Sequence, residues 1–123
     1  MTIIRALFLG CVFALGVAGA LRADMELLMI EQPGCIWCAR WNEEIAPIYP
    51  KTSEALVAPL RRLQLREPVP PDVTLARPAV YTPTFVLLVD GVEASRIEGY
   101  PSADFFWAFL AEMIQKSGAS IEP

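Results

Sequence analysis

Cys35-Ile36-Trp37-Cys38 constrains this chain more than any other stretch, because its two thiols sit one helical turn apart where a strand-like run passes through a loop into a helix. Met25 to Ile30 is short and nearly continuous in apolar residues, as expected of a strand buried on both faces of a sheet, and Glu31-Gln32-Pro33-Gly34 is a turn-forming loop. From Cys35 onward Trp37, Trp41, Ile45 and Ile48 recur at helical intervals, with Arg40, Asn42, Glu43 and Glu44 on the remaining faces. This spacing predicts an amphipathic helix with the cysteine pair at its start. Two sulfurs so placed join and part with little backbone movement. A sulfur in the first turn faces unpaired backbone N–H groups and the positive end of the helix dipole, which stabilise a thiolate, the nucleophile that attacks disulfides.

The first residues have the pattern of an export signal. Arg5 is followed by an apolar run from Ala6 to Leu21, with small residues at Ala18-Gly19-Ala20 and at Ala23, so cleavage is expected after Ala20 or Ala23. The run is shorter than the roughly 18 to 20 residues that a spanning helix needs, which makes an uncleaved anchor the weaker reading. Leu9-Gly10-Cys11 faintly resembles a lipid-attachment box, but the apolar stretch before it is too short and Leu9 and Phe8 are too bulky for one. Residues 1–23 are thus expected to be a cleaved leader that takes Cys11 with it, and residues 24–123 a single periplasmic domain. That domain keeps 8 of the 10 basic residues and all 14 acidic ones, a net charge near −6, so it has no basic stripe for nucleic acid. The chain contains no His at all, which excludes Ser-His, Cys-His and His-metal mechanisms. No metal and no cofactor are expected, and the chemistry falls to Cys35 and Cys38.

Further along, Pro47 and Pro50 are expected to end the first helix, with a second short helical piece capped by Thr52 or Ser53 before Pro59. Leu63 and Leu65 alternate with Arg62, Gln64 and Arg66, as in a strand with one polar face. Pro68-Val69-Pro70-Pro71 forces an extended linker, with a single helical turn expected from Asp72. Thr84 to Val89, the pair Asp90-Gly91 and the alternating Val92 to Ile97 predict a hairpin. Ser102 caps a last helix with a broad stripe of Phe105, Phe106, Phe109, Leu110, Met113 and Ile114; these and Trp41 are expected in the core, and Gly118 follows Lys116 as a stop. The order of elements implies an α/β fold, a central mixed β-sheet flanked by helices.

With Cys35-Ile36-Trp37-Cys38 after a strand and Tyr81-Thr82-Pro83-Thr84-Phe85 before a hairpin, the chain resembles the thioredoxin-like superfamily over nearly all of its mature length. Within it, Thr82-Pro83-Thr84-Phe85, Asp90-Gly91 and Gly99-Tyr100-Pro101 resemble the periplasmic SoxS-type thioredoxins of sulfur-oxidation systems. The resemblance implies a cis peptide bond at Pro83 beside the cysteines and a groove in which the Thr82 backbone pairs with an extended substrate. It also implies a reductant of the SoxYZ sulfur carrier, recharged by a membrane thiol-electron transporter. Thioredoxins proper carry Gly-Pro between the cysteines and a buried acid six residues before the first; here Ile36-Trp37 and Met29 stand in those places, so water or Glu31 would have to carry the proton of the second cysteine.

The expected reaction is attack by the Cys35 thiolate on a partner disulfide and resolution by the deeper Cys38. Trp37 is expected either as a flat platform for the partner or packed on Trp41. Nothing between the cysteines supplies the donor or charge of a strongly oxidising pair, which favours a reductant over a disulfide oxidase or isomerase; a monomer is expected. A non-catalytic thioredoxin-like module with a structural disulfide is the alternative of a different class, although structural bridges in small domains usually close longer loops.

Overall fold

The apolar run that begins the domain forms strand β1 (Met25–Glu31), and its side chains alternate between two buried layers. Met25, Leu27 and Met29 join Phe85, Leu87 and Ile97 on one face; Leu28 and Ile30 join Leu63, Val86 and Leu88 on the other. Burial on both faces is why this strand shows no polar alternation. The computed structural model describes residues 23–119 together with Gly16, so most of the expected leader, with Cys11 and the position after Ala20, lies outside the described residues.

After β1 come α1 (Ile36–Glu44), a 3-10 turn (Tyr49–Lys51), α2 (Ser53–Val57), β2 (Leu60–Gln64), β3 (Thr84–Val89), β4 (Val92–Glu98) and α3 (Ala103–Lys116). The strands form one mixed sheet in the order β2-β1-β3-β4, with β2 parallel to β1 and the other neighbouring pairs antiparallel. The parallel pair needs a crossover, which α1 and α2 supply. Among the described residues no helix is long and apolar enough to cross a membrane.

Pro47 cannot donate the next helical hydrogen bond, and α1 stops before it at Glu44. Thr52 then caps α2, its Oγ1 accepting the Ala55 N–H at 3.2 Å. Ser102 does the same for α3 through the Phe105 N–H at 3.3 Å. In the hairpin, Asp90 (φ 52°) and Gly91 (φ 79°) both take left-handed backbone, the combination that matches strand twist in a two-residue turn. A Cβ on Gly91 would also collide with the Asp72 carbonyl, so this glycine serves the long connection as well as the turn.

All three helices contribute to the layer that holds Met25, Leu27 and Met29. The opposite face is covered by the connection between β2 and β3, through Leu65, Val73, Leu75 and Ala79. This connection does not contain the expected helical turn from Asp72. Pro70 to Val73 close a turn, the Val73 N–H donating to the Pro70 carbonyl at 3.0 Å, and Thr74 bridges to Val92 at the edge of the sheet. Arg61, bonded to both Asp72 carboxylate oxygens at 2.7 and 2.9 Å, holds that residue outside a helix. The aromatic stripe of α3 also needs correction. Phe106, Leu110, Met113 and Ile114 are buried, whereas Phe105 and Phe109 are exposed and stack on each other with centroids 5.8 Å apart. The six positions span more of the helix circumference than one sheet face covers, and Trp107, on the flank towards Tyr49, packs there with ring centroids 6.0 Å apart.

Candidate active site

Cys35 is the N-cap of α1: its backbone is still extended (φ −79°, ψ 105°), and its Sγ accepts the Cys38 N–H at 3.1 Å. The chain reaches it through Gly34, whose φ of 78° lies in the region glycine enters without strain. Cys35 and Cys38 are joined as a disulfide with Cα atoms 5.2 Å apart, closed within the first turn of the helix. The two sulfurs have different settings. Cys38 is only 3% exposed and packs in the layer that holds Met29 and Trp41, whereas Cys35 is partly exposed at its rim. No acidic residue occupies the first turn, so nothing there opposes the positive helix end.

Trp37 is 49% exposed and lies away from Trp41, which is wholly buried against Tyr49, Phe85 and Phe106. Its ring instead carries the Arg40 guanidinium, 5.7 Å from the centroid. Arg40 Nε donates to Glu44 Oε1 at 3.1 Å, and the Tyr100 hydroxyl donates to Glu44 Oε2.

Because β3 runs antiparallel to β1, the end of one and the start of the other share an end of the sheet, with Ile30 opposite Thr84. The Thr82–Pro83 peptide bond, just before β3, is cis, and Pro83 is buried. Gln32 Nε2 donates to Thr82 Oγ1 at 2.9 Å, tying the cysteine loop to the proline loop. The Pro83 carbonyl accepts the Gly99 N–H at 2.7 Å. Among the described residues no main-chain hydrogen bond engages Thr82.

On the other side of α1, Met29 is buried and Glu31, two residues later on the same face, brings a carboxylate that is 14% exposed. Arg62 Nη1 lies 2.6 Å from Glu31 Oε2, and Asn42 Nδ2 donates to Oε1 at 3.4 Å. The same guanidinium stands 5.7 Å from the Trp41 ring centroid and 3.6 Å from Met29 Sδ. Gln32, Asn42 and Arg62 were not singled out by sequence reasoning. Arg62 reads as a solvated strand residue until the parallel register pairs it with Met29. Among the described residues no group of three or more His, Cys, Asp and Glu side chains is placed to hold a metal.

No protein-family model and no curated protein matches the chain. Among solved structures it is similar to the reduced form of the periplasmic thioredoxin SoxS from Paracoccus pantotrophus, with 56% identity, coverage of 76% of this chain and 99% of that one, and a TM-score of 0.75. In this chain the Cys35–Cys38 disulfide closes at the start of α1, in front of the mixed sheet. The chain belongs to the SoxS-type thioredoxins and is a thiol-disulfide oxidoreductase of thioredoxin-like fold.

Proposed function

We propose that the protein, cleaved after Ala20 or Ala23, works in the periplasm as a monomeric reductant of partner-protein disulfides, with Cys35 as the attacking thiol and Cys38 as the resolving one. The observation that carries this reading is the difference between the sulfurs: the partly exposed Cys35 Sγ accepts a helix-start N–H at 3.1 Å, while Cys38 is 3% exposed. On reduction that N–H and the helix end favour a thiolate at Cys35, and a partner sulfur reaches it first. Cys38 then attacks from the same helical turn and releases the reduced partner.

Partner binding falls to the surface around the disulfide. Ile36, Trp37, Val80 and Tyr81 are exposed large apolar residues in or beside the two loops that meet there. Trp37 serves as the flat platform, and the Thr82 backbone at the wall formed by Pro83 pairs with an extended partner segment. The partner proposed is the SoxYZ sulfur carrier, and a membrane thiol-electron transporter restores the dithiol, since an exported protein does not share the cytosolic thiol pool.

The experiment is capture in periplasmic extract. Cys38→Ser is expected to accumulate mixed disulfides on Cys35, with the SoxYZ carrier among them, and Cys35→Ser to accumulate none. Capture by the Cys35→Ser form instead would reverse the assignment. A disulfide with a potential at or below about −300 mV and no exchange with a model disulfide would replace it with an inert bridge.

A further inference from the structure

Resolution requires Cys38, buried among Met29, Trp41 and Phe85, to lose a proton, and the chain has no His to take it. From the sheet, Glu31 brings a carboxylate, 14% exposed, to the face of β1 that carries Met29. It is bonded to Asn42, which stands four residues after Cys38 and therefore on the same helix face. Arg62 holds its second oxygen at 2.6 Å while bearing on Met29 Sδ, a member of the layer that packs on Cys38. Trp41 Nε1 and Asn42 Oδ1, three and four residues after Cys38, are buried without a hydrogen-bond partner among the described residues, a donor and an acceptor of the kind a bridging water needs. A partly buried ion pair of this sort costs desolvation and is poor evidence for stability, so its place beside the resolving cysteine calls for another account.

We propose that Glu31 is the proton acceptor for Cys38, acting through one water held by Asn42 and Trp41, with Arg62 and Asn42 as the positioning residues of its carboxylate. This rests on the reading above, in which Cys38 resolves the mixed disulfide. The Cys38 S–H proton passes through the water to the carboxylate, and the thiolate attacks Cys35 Sγ. The bond from Cys35 to the partner sulfur breaks with its electron pair going to that sulfur, which is then protonated. Cys35 and Cys38 end oxidised and the partner sulfur reduced. The charged group facing the carboxylate is Arg62 from β2, with Asn42 from α1 on its other oxygen; Met29 and Trp41 lie against the same guanidinium, in the layer that also holds Cys38.

Single-turnover reduction of a model disulfide separates capture by Cys35 from closure by Cys38. Wild-type closure is expected to be nearly independent of pH between 6 and 8. Glu31→Gln is expected to slow closure on the order of 100-fold at pH 7 and to make it rise with hydroxide about tenfold per pH unit, while capture is unchanged. Glu31→Asp keeps a charge for Arg62, and it is expected to retain the flat profile with a smaller loss; it carries the test should the amide variant fail to fold. Closure in Glu31→Gln with the wild-type rate and profile, or a Glu31→Asp profile that tracks hydroxide, overturns the assignment. A wild-type protein that shows no capture phase at all sinks the underlying reading instead.

Discussion

Gln32 Nε2 donates to Thr82 Oγ1 across 2.9 Å, joining the loop before Cys35 to the residue before Pro83 although 50 positions separate them. The bond sets the distance between the reactive disulfide and the main chain proposed to receive a partner. Removing it is therefore expected to act on recognition more than on folding. Gln32→Ala should lose about 1 kcal/mol of stability and several-fold in the rate of mixed-disulfide formation with a protein partner, with little change towards a small disulfide that makes no groove contacts. Equal losses towards both substrates would show that the bond merely supports the loop.

The elements that position this site were legible wherever local chemistry decided them. The Cys35 helix start, the Thr52 and Ser102 caps, the stop before Pro47 and the Asp90-Gly91 turn each follow from a residue's own hydrogen-bonding or backbone preference. What escaped was decided by partners distant in sequence. Arg62 becomes part of the site only through its register with Met29, and Asp72 leaves a helical path because Arg61 and the Gly91 turn hold it. Phe105 and Phe109 misled because a helical stripe shows which residues are apolar and not how much of the helix the sheet covers.

The two ends of that stripe should respond differently. Phe106 is buried against Phe85 at a 4.9 Å centroid separation, and Phe106→Ala is expected to cost about 3 to 5 kcal/mol. Phe105→Ser, at an exposed position, should change stability by no more than about 0.5 kcal/mol. Chemical denaturation of the two variants checks the contrast, and a large loss from Phe105→Ser would place that ring in a contact not seen here.

Far from the cysteines, Arg96 and Glu93 form an ion pair with side chains only 6% and 4% exposed, and Arg96 Nη2 also donates to the Arg77 carbonyl at 2.7 Å. The pair thus pins the long connection that leads into Tyr81-Thr82-Pro83. Glu93→Ala leaves the nearly buried guanidinium only the more distant Glu98 carboxylate, 3.8 Å from Nη1, and is expected to cost about 3 kcal/mol. The double replacement Glu93→Leu with Arg96→Met should recover much of that loss. Hydrogen exchange of residues 74–81 should rise most in the double variant, which also loses the Arg96 bond to the Arg77 carbonyl; wild-type exchange there would dissociate the pair from the connection.

Alkaline unfolding should report on Tyr49 and Tyr100. Burial, with Glu54 adding to it, pushes the Tyr49 phenol well above its ordinary value of 10.0. Burial, then the hydrogen bond and charge of Glu44, does the same to Tyr100. A group raised in the folded state stabilises the fold fully below its unfolded value and loses that contribution as pH rises, because the unfolded chain ionises first. Stability is thus expected to be flat up to pH of about 10 and to fall beyond it. Tyr49→Phe gives up the 2.6 Å bond to the Ala58 carbonyl and so starts lower at neutral pH, but its stability should fall less steeply above pH of about 10. Thermal unfolding followed from pH 8 to 11 makes the comparison, and a slope unchanged in both Tyr49→Phe and Tyr100→Phe would rule out the two phenols as the source of the alkaline loss.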